Sequence, residues 1–302
     1  MSSFRPSVSV IIPTYNCADY IGEAIDSVLN QSVVASEVIV IDDGSTDDTL
    51  DKLAKFRSAP GFQLLTQRNA GPHVARNRAI RVSSGSLIAF LDSDDIWYPN
   101  KLERQLKCFE GRQGLGVVYT ARNWIDSNGH PIHEDLVAWK AVRGDCPVGE
   151  LLSQNCVPMT TAMTHRETFD QVGWFDETLP CASDWDFWLR ASCRCWFDCV
   201  DERLAAHRMH PGQITANRLS QVETTIKIQE SFLANHPGIV NRRAIRSAQS
   251  NRLARRGKVR GKLGQSRLAL IDLVTACCKN PGNSQALADL ARLLLGRLKD
   301  PS

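Results

Sequence analysis

From residue 87 onward, the chain reads Leu87-Ile88-Ala89-Phe90-Leu91-Asp92-Ser93-Asp94-Asp95. The five apolar residues follow the turn-forming segment Ser83-Ser84-Gly85-Ser86 and predict a strand buried on both faces of a parallel sheet. Because open α/β sheets bind ligands at the carboxyl ends of their strands, the three carboxylates that follow are expected in a ligand-binding crevice. Carboxylate oxygens there suit Mg²⁺ or Mn²⁺. The alternative is an acidic loop that caps the helix beginning at Asn100. The motifs in the neighbouring segments distinguish the two interpretations.

Strands alternate with helices through the first 120 residues. Apolar runs of strand length occupy residues 8–12, 38–41, 62–66, 87–91 and 115–120. Between them, apolar residues recur at the three- and four-residue spacing of a helix, for example Ile21, Ile25 and Val28. This alternation predicts an α/β fold with a mostly parallel sheet and right-handed crossovers.

The pattern changes after residue 120. Aromatic and loop-forming residues extend to about residue 148, with a predicted hairpin turn at Ser127-Asn128-Gly129. Residues 159–165 are expected to return to the sheet, and helices are predicted at 166–172 and from Ser183. A loop rich in hydrogen-bond donors is predicted at 206–213, and beyond it the pattern is helical only.

Charge is unevenly distributed along the chain. The 302 residues carry a formal net charge of +3, and 43% of them are hydrophobic, which is enough for a full core. Residues 218–302 hold 16 Lys and Arg against 5 Asp and Glu, whereas residues 1–217 hold 20 against 28. We therefore predict one large domain at 1–217 and a basic helical extension at 218–302.

The apolar runs also bear on location. The run at 8–12 is too short for a signal peptide, and the run at 268–278 contains Asp272 and cannot span a bilayer. We expect a cytoplasmic protein whose ten cysteines are reduced thiols.

Five motifs, taken in order, carry a resemblance to a known family. They are Val10-Ile11-Ile12-Pro13-Thr14-Tyr15-Asn16, Ile41-Asp42-Asp43-Gly44-Ser45-Thr46-Asp47, Asn69-Ala70-Gly71 with Ala75-Arg76-Asn77, Leu91-Asp92-Ser93-Asp94-Asp95, and Asp184-Trp185-Asp186-Phe187-Trp188-Leu189-Arg190. The set resembles the inverting family 2 glycosyltransferases, a bacterial group with the GT-A fold that builds surface polysaccharides such as lipopolysaccharide from sugar nucleotides. The resemblance covers about residues 6–213. It implies a nucleotide-binding half at 1–120 and an acceptor-binding half at 121–217.

The resemblance implies a nucleotide site on the first two motifs. Pro13, Thr14 and Tyr15 would line the base and ribose, and Asp43 would hydrogen-bond the base. The chemistry of these residues agrees, because a tyrosine ring offers a stacking face and a carboxylate accepts the imide N–H of uracil. A UDP-sugar is therefore the expected donor.

A diphosphate and metal site is also implied. Asn69 and Arg76 fall where the family approaches the nucleotide and diphosphate, although Arg76 has the alternative of pairing with a neighbouring carboxylate. Asp94 corresponds to the metal ligand, and Asp92 faces the ribose or a metal-bound water. His210 belongs to a closing Arg-x-His loop in which the histidine approaches the metal or the diphosphate. The implied cofactor is Mg²⁺ or Mn²⁺, which neutralises charge on the departing nucleoside diphosphate.

The resemblance places the general base at Asp184. This carboxylate would take the proton from the acceptor hydroxyl as its oxygen attacks opposite the leaving group. Ser183 stands where the family usually has Glu, and Asp186 is a competing candidate. Asp is also favoured in a first helical turn without any catalytic role.

The expected function is transfer of a sugar from a nucleotide diphosphate donor to a carbohydrate or lipid-linked acceptor in polysaccharide synthesis. A catalytically silent sugar-nucleotide-binding module is an alternative, because Ser183 replaces the usual Glu. A nucleotidyltransferase is a second one, but it would show a glycine-rich basic loop near its first strand, and Pro13-Thr14-Tyr15-Asn16 is not such a loop. We expect no nucleic-acid partner.

The extension carries a prediction of its own. Ten Lys and Arg and no Asp or Glu lie between Asn241 and Arg267. With the apolar helical faces that follow, this run predicts peripheral contact of residues 241–299 with an anionic membrane, on the inner face of the cell membrane. Packing on the domain or on a second subunit is the alternative.

Overall fold

A computed structural model of the chain describes residues 6–132, 141–211 and 218–298. The chain divides into two units. The first comprises Met1–Pro147, Cys156–Glu177 and Arg190–His210, and the second comprises Val148–Asn155, Thr178–Leu189 and Pro211–Ser302. This division differs from a single boundary at residue 217, because two short segments group with the C-terminal helices.

One sheet organises the first unit. Its strands are β1 (Val8–Thr14), β2 (Glu37–Asp42), β3 (Phe62–Thr66), β4 (Leu87–Phe90), β5 (Ile96–Trp97), β6 (Leu115–Ile125), β7 (Pro131–Ile132), β8 (Met163–His165) and β9 (Trp196–Arg208). Among the described residues the strand order is β3-β2-β1-β4-β8-β6-β9-β5, with β7 paired to β6. The strands β3-β2-β1-β4 are parallel, and so is the pair β6 and β9. The short β8 runs antiparallel between the two groups.

Helices cover the sheet of the first unit. They are α1 (Ile21–Leu29), α2 (Thr49–Ala54), α3 (Pro72–Val82), α4 (Lys101–Phe109) and α6 (Arg166–Val172). Alternate residues of β1, such as Val10 and Ile12, pack into one cluster with Ile21 and Ile25 of α1. Because every residue of β1, β2 and β4 is buried, both faces of these strands are covered, as parallel strands require.

Most of the predicted elements are confirmed, with differences at their ends. β3 and α6 have the predicted bounds, and the hairpin pairs Trp124 with Ile132. β1 continues through Pro13 and Thr14, two residues beyond the strand predicted at 8–12. The prediction of a loop from residue 206 is wrong at its start, since β9 continues to Arg208 and pairs with both β6 and β5.

The second unit is helical in its described residues. It contains α5 (Val148–Ser153), most of α7 (Ser183–Ala191), α8 (Arg218–Asn235), α9 (Arg242–Lys262), α10 (Ser266–Lys279) and α11 (Ser284–Leu294). Hydrogen bonds join its segments. The indole N–H of Trp185 donates to the Leu151 carbonyl (2.7 Å), and the Gln229 amide donates to the Leu152 carbonyl (3.0 Å). These contacts explain why the segments around α5 and α7 group with the C-terminal helices.

Small residues on α9 let its neighbours approach closely. A Cβ added at Gly257 would lie 2.7 Å from Cγ of Leu273, and one added at Gly261 would collide with the side chain of Leu298. The first turns of α9 carry the exposed residues Arg242, Arg243 and Arg246. None of the described helices is long and apolar enough to cross a membrane.

Candidate active site

The carboxyl ends of β1, β2 and β4 meet at one edge of the sheet. Thr14 at the end of β1 lies opposite Asp42 at the end of β2, and β1 pairs with β4 on its other side. Tyr15, Asp43 and Asp92 come just after these strands and therefore leave the sheet at the same edge.

Tyr15 offers the largest surface of the three residues expected to line the base and ribose. It is 48% exposed, whereas Pro13 and Thr14 are buried within β1. The buried Thr14 hydroxyl has no hydrogen-bond partner among the described residues. The next residue, Asn16, donates its backbone N–H to the Ser45 hydroxyl (2.9 Å) and so ties this loop to the one after β2. Tyr15 thus presents a stacking face on an anchored loop.

Asp43 is buried, and its carboxylate organises a neighbouring loop. Its Oδ1 accepts from Nε2 of Gln67 (2.7 Å) and from the backbone N–H of Ala70 (2.9 Å), and its Oδ2 accepts from the backbone N–H of Gly71 (2.8 Å). Asn69 lies exposed in the loop that these bonds hold. A carboxylate has about four acceptor positions, so that three contacts leave room for one more donor. Asp43 therefore shapes this edge of the sheet.

Arg76 and Asp92 form an ion pair. One terminal nitrogen of Arg76, on α3, lies 2.5 Å from Oδ1 of Asp92, and Arg76 is largely buried. This is the alternative that the sequence left open for Arg76. Nε of Arg76 has no hydrogen-bond partner among the described residues. The pair fixes the start of the acidic loop against α3.

Asp94 and His210 meet at the same loop. Oδ2 of Asp94 lies 3.0 Å from Nε2 of His210, and both side chains are mostly buried. Burial and the nearby carboxylates of Asp95 and Asp92 raise the pKa of Asp94, against the hydrogen bond from His210. The ring of His210 also lies 4.8 Å from the ring of Tyr20, centroid to centroid.

The donor set at this point fits a divalent cation. A carboxylate oxygen and an imidazole nitrogen converge, and Mg²⁺ or Mn²⁺ commonly uses one or two protein ligands and fills its other positions with water and phosphate oxygens. Within residues 6–132, 141–211 and 218–298, no group of three or more His, Cys, Asp or Glu could hold a metal ion. Asp94 and His210 are therefore the residues that would hold the cation, with a diphosphate as the further ligand.

Asp184 belongs to the second unit, in the first turn of α7. Its Oδ2 accepts a hydrogen bond from the side-chain amide of Asn155 (2.8 Å). The neighbouring Ser183 and Trp185 are buried, while Asp184 and Asp186 are partly exposed. One carboxylate oxygen of Asp184 is thus oriented by an amide.

Sequence reasoning missed several residues that shape these sites. Asn155 stands in a loop where no motif marks it. Asp95 and Arg208 belong to motifs that had been noticed, but their contacts depend on how β9 pairs with β5. Glu23 lies on α1, far from both in sequence, and no sequence signal identifies it.

Solved structures that superimpose on this chain identify its fold. S. aureus TarS 1-349 superimposes with a TM-score of 0.64 at 19% identity, covering 97% of this chain and 88% of that one. A crystal structure of TarS 1-349 in complex with UDP-GlcNAc gives a TM-score of 0.61 at 20% identity. The fold is the GT-A fold, with a mostly parallel sheet flanked by helices and followed by C-terminal helices.

Sequence comparison identifies the family. The model of glycosyl transferase family 2 matches residues 9–172. The putative teichuronic acid biosynthesis glycosyltransferase TuaG of Bacillus subtilis is 31% identical over 228 residues, which are 74% of this chain and 88% of TuaG. The chondroitin synthase of Escherichia coli is 33% identical over 245 residues, which are 78% of this chain and 32% of that protein. The chain belongs to glycosyltransferase family 2, and it is a glycosyltransferase. This membership favours the glycosyltransferase over the nucleotidyltransferase and the silent binding module.

Proposed function

We propose that this enzyme moves a sugar from a UDP-sugar to a carbohydrate or lipid-linked acceptor in cell-surface polysaccharide synthesis, and that it needs a divalent cation. The observation that carries the proposal is the approach of Asp94 and His210 at the carboxyl edge of the sheet, at 3.0 Å. The exposed Tyr15 at the same edge, the complex of TarS with UDP-GlcNAc and the name of TuaG support the donor and the pathway class.

The proposed reaction is a single displacement. The carboxylate of Asp184 takes the proton of the acceptor hydroxyl, and the acceptor oxygen forms a bond to the anomeric carbon. The bond from that carbon to the diphosphate oxygen breaks, and its electron pair leaves with the nucleoside diphosphate. Because attack and departure occur on opposite faces of the sugar, the anomeric configuration inverts.

Each remaining site residue has a role in this proposal. Tyr15 stacks on the uracil, and Asn69 approaches the nucleotide from the loop that Asp43 holds. Arg76 keeps Asp92 in place at the ribose. A cation bound by Asp94 and His210 would neutralise charge on the leaving diphosphate.

A donor panel tests the substrate class. We expect UDP-sugars to release more nucleoside diphosphate than GDP-sugars and UDP to bind more tightly than GDP by calorimetry. Tyr15→Ala should weaken UDP binding by roughly tenfold, because stacking of a base on an aromatic ring is worth about 1–3 kcal/mol. Trp196→Ala removes another half-exposed aromatic, at the start of β9, and should leave UDP binding unchanged. Tighter binding of GDP than of UDP would contradict the donor assignment.

The C-terminal helices support contact with an anionic membrane, although the basic run has less free charge than its sequence indicates. Arg256 and Arg260 both reach Asp272, at 2.6 and 2.9 Å, and Arg260 also pairs with Glu223. Arg252 is buried, 4.0 Å from the ring centroid of Trp185. The arginines that stay exposed are Arg242, Arg243, Arg246, Arg255 and Arg267.

Apolar side chains are exposed on the following helices. Two leucines of the predicted apolar faces, Leu273 and Leu298, are buried and cannot contact a membrane. Exposed positions are Leu268, Leu270, Ile271, Val274, Leu287, Leu294 and Leu295. Exposed cations and exposed leucines are the two kinds of side chain that bind a bilayer with anionic headgroups. We propose that α9, α10 and α11 hold the enzyme on such a surface, where lipid-linked acceptors are found.

Vesicle flotation tests the membrane contact. The full chain should float with anionic but not with zwitterionic vesicles and should lose this binding in high salt. Replacing Arg242, Arg243 and Arg246 by Gln should weaken binding roughly a hundredfold, at about 1 kcal/mol per cation. The matched control replaces three exposed arginines of the first unit, Arg57, Arg68 and Arg104. Equal flotation with both vesicle types, or with neither, would assign α9, α10 and α11 to packing instead.

A further inference from the structure

The acidic loop and the end of β9 run side by side. In the antiparallel pair of β5 and β9, Ile96 lies opposite Ala206 and Trp97 opposite Ala205. Continued by two residues, this register sets Asp95 opposite His207 and Asp94 opposite Arg208. The segment that carries Asp94 is therefore aligned with the segment that leads to His210.

Side chains extend this pairing beyond the strands. Oδ1 of Asp95 accepts the backbone N–H of Arg208 (2.9 Å), and Oδ2 of Asp95 lies 3.0 Å from Nδ1 of His207. In return, Nε of Arg208 donates to the backbone carbonyl of Asp94 (2.9 Å). The side chain of Asp95 is fully buried, and both of its oxygens contact the segment of β9 that leads to His210.

The guanidinium group of Arg208 is held by residues outside the two paired segments. One terminal nitrogen lies 2.5 Å from Oε2 of Glu23 on α1, and the guanidinium carbon lies 4.8 Å from the ring centroid of Tyr20. Another terminal nitrogen donates to the carbonyl of Asp126 (3.3 Å). The side chain of Arg208 is only 3% exposed, and Glu23 balances its charge.

From this geometry we propose that Arg208 and Asp95 are positioning residues which hold Asp94 and His210 at the spacing that a divalent cation needs, with Glu23 neutralising Arg208. The inference rests on the proposed metal-dependent transfer. Neither residue touches the cation. Their loss would let Asp94 and His210 move apart. In other metal sites, mutation of the residues that hydrogen-bond the metal ligands typically lowers metal affinity by 10–100-fold.

Manganese binding tests this role without relying on turnover. Free Mn²⁺ is measured by electron paramagnetic resonance while the full chain is titrated in the presence of UDP. Arg208→Gln should weaken Mn²⁺ binding by roughly 10–100-fold while UDP binding without metal stays at the wild-type level. Arg104→Gln, a change at an exposed arginine of α4, is the matched control and should bind Mn²⁺ as the wild type does.

Glu23→Gln keeps the test decisive if the buried Arg208 variant does not fold. Glu23 is 54% exposed in its side chain, so its exchange for an isosteric amide spares the core. Leaving the charge of Arg208 unbalanced beside the cation should weaken Mn²⁺ binding several-fold without lowering the thermal midpoint. Wild-type Mn²⁺ affinity in a folded Arg208→Gln, or in Glu23→Gln, would overturn the positioning role. If the wild-type chain binds no Mn²⁺ with UDP, the proposed metal dependence fails as well, whereas a metal-dependent wild type with unaffected variants overturns this inference alone.

Discussion

Asp94→Ala is expected to abolish sugar transfer, by a factor on the order of a thousand, while the protein remains folded. The variant removes the carboxylate that meets His210, and with it the oxygen ligand of the proposed cation. Stability should not suffer, because burial and the neighbouring carboxylates raise the pKa of Asp94 and so disfavour its ionised form in the folded protein. Release of nucleoside diphosphate measures the reaction, and thermal melting checks the fold.

The control for this experiment is an aspartate of similar chemistry in a different place. Asp51→Ala changes an exposed carboxylate on α2 and should leave transfer unchanged. Excess chelator should reduce the wild-type rate as far as Asp94→Ala does. Undiminished transfer in excess chelator would show that the acidic loop works without a metal.

Asp184→Asn should lower turnover by roughly a hundredfold or more, the usual scale for loss of a general base. An asparagine keeps the size of the side chain and can still accept the hydrogen bond that Asn155 donates, so the geometry around α7 is preserved. Donor binding, measured by calorimetry, should stay near wild type, because the variant changes a proton acceptor and not the nucleotide site.

Asp186→Asn is the matched variant for this prediction. It changes the same kind of residue in the same helical turn, and it should retain most of the activity. If Asp186→Asn is inactive and Asp184→Asn is active, the general base is Asp186.

The first 120 residues show which parts of a fold a sequence can predict. Strands such as β3 and helices such as α1 are local, and the spacing of their apolar residues follows directly from being buried on one or both sides. β9 was not predicted from the sequence, because Asp201, Glu202 and Arg203 are exposed in its middle and interrupt the apolar pattern. Its partner β6 also shifts register there, and this pairing is fixed by residues some eighty positions away.

The candidate site also has parts that the sequence predicts and parts that it does not. Motifs predicted Asp94 and His210, and the structure brings these two residues together. That Arg76 would pair with Asp92, or that Asp43 would accept three hydrogen bonds from a loop, depends on tertiary contacts that a motif does not encode. The free charge of the basic run after Asn241 depends on tertiary contacts as well, since Asp272, which pairs with Arg256 and Arg260, lies on α10.

Positions along α9 differ in the substitutions that they tolerate. Gly257 and Gly261 face α10 and the segment at Leu298, where any side chain would collide with a leucine, so these positions are closed to substitution. Arg242, Arg243 and Arg246 contribute no such packing, and their number can drift from one descendant to another without loss of the helix. The charge of the first turns of α9 can therefore vary by single substitutions, while the packed part of the helix at Gly257 and Gly261 is inherited unchanged.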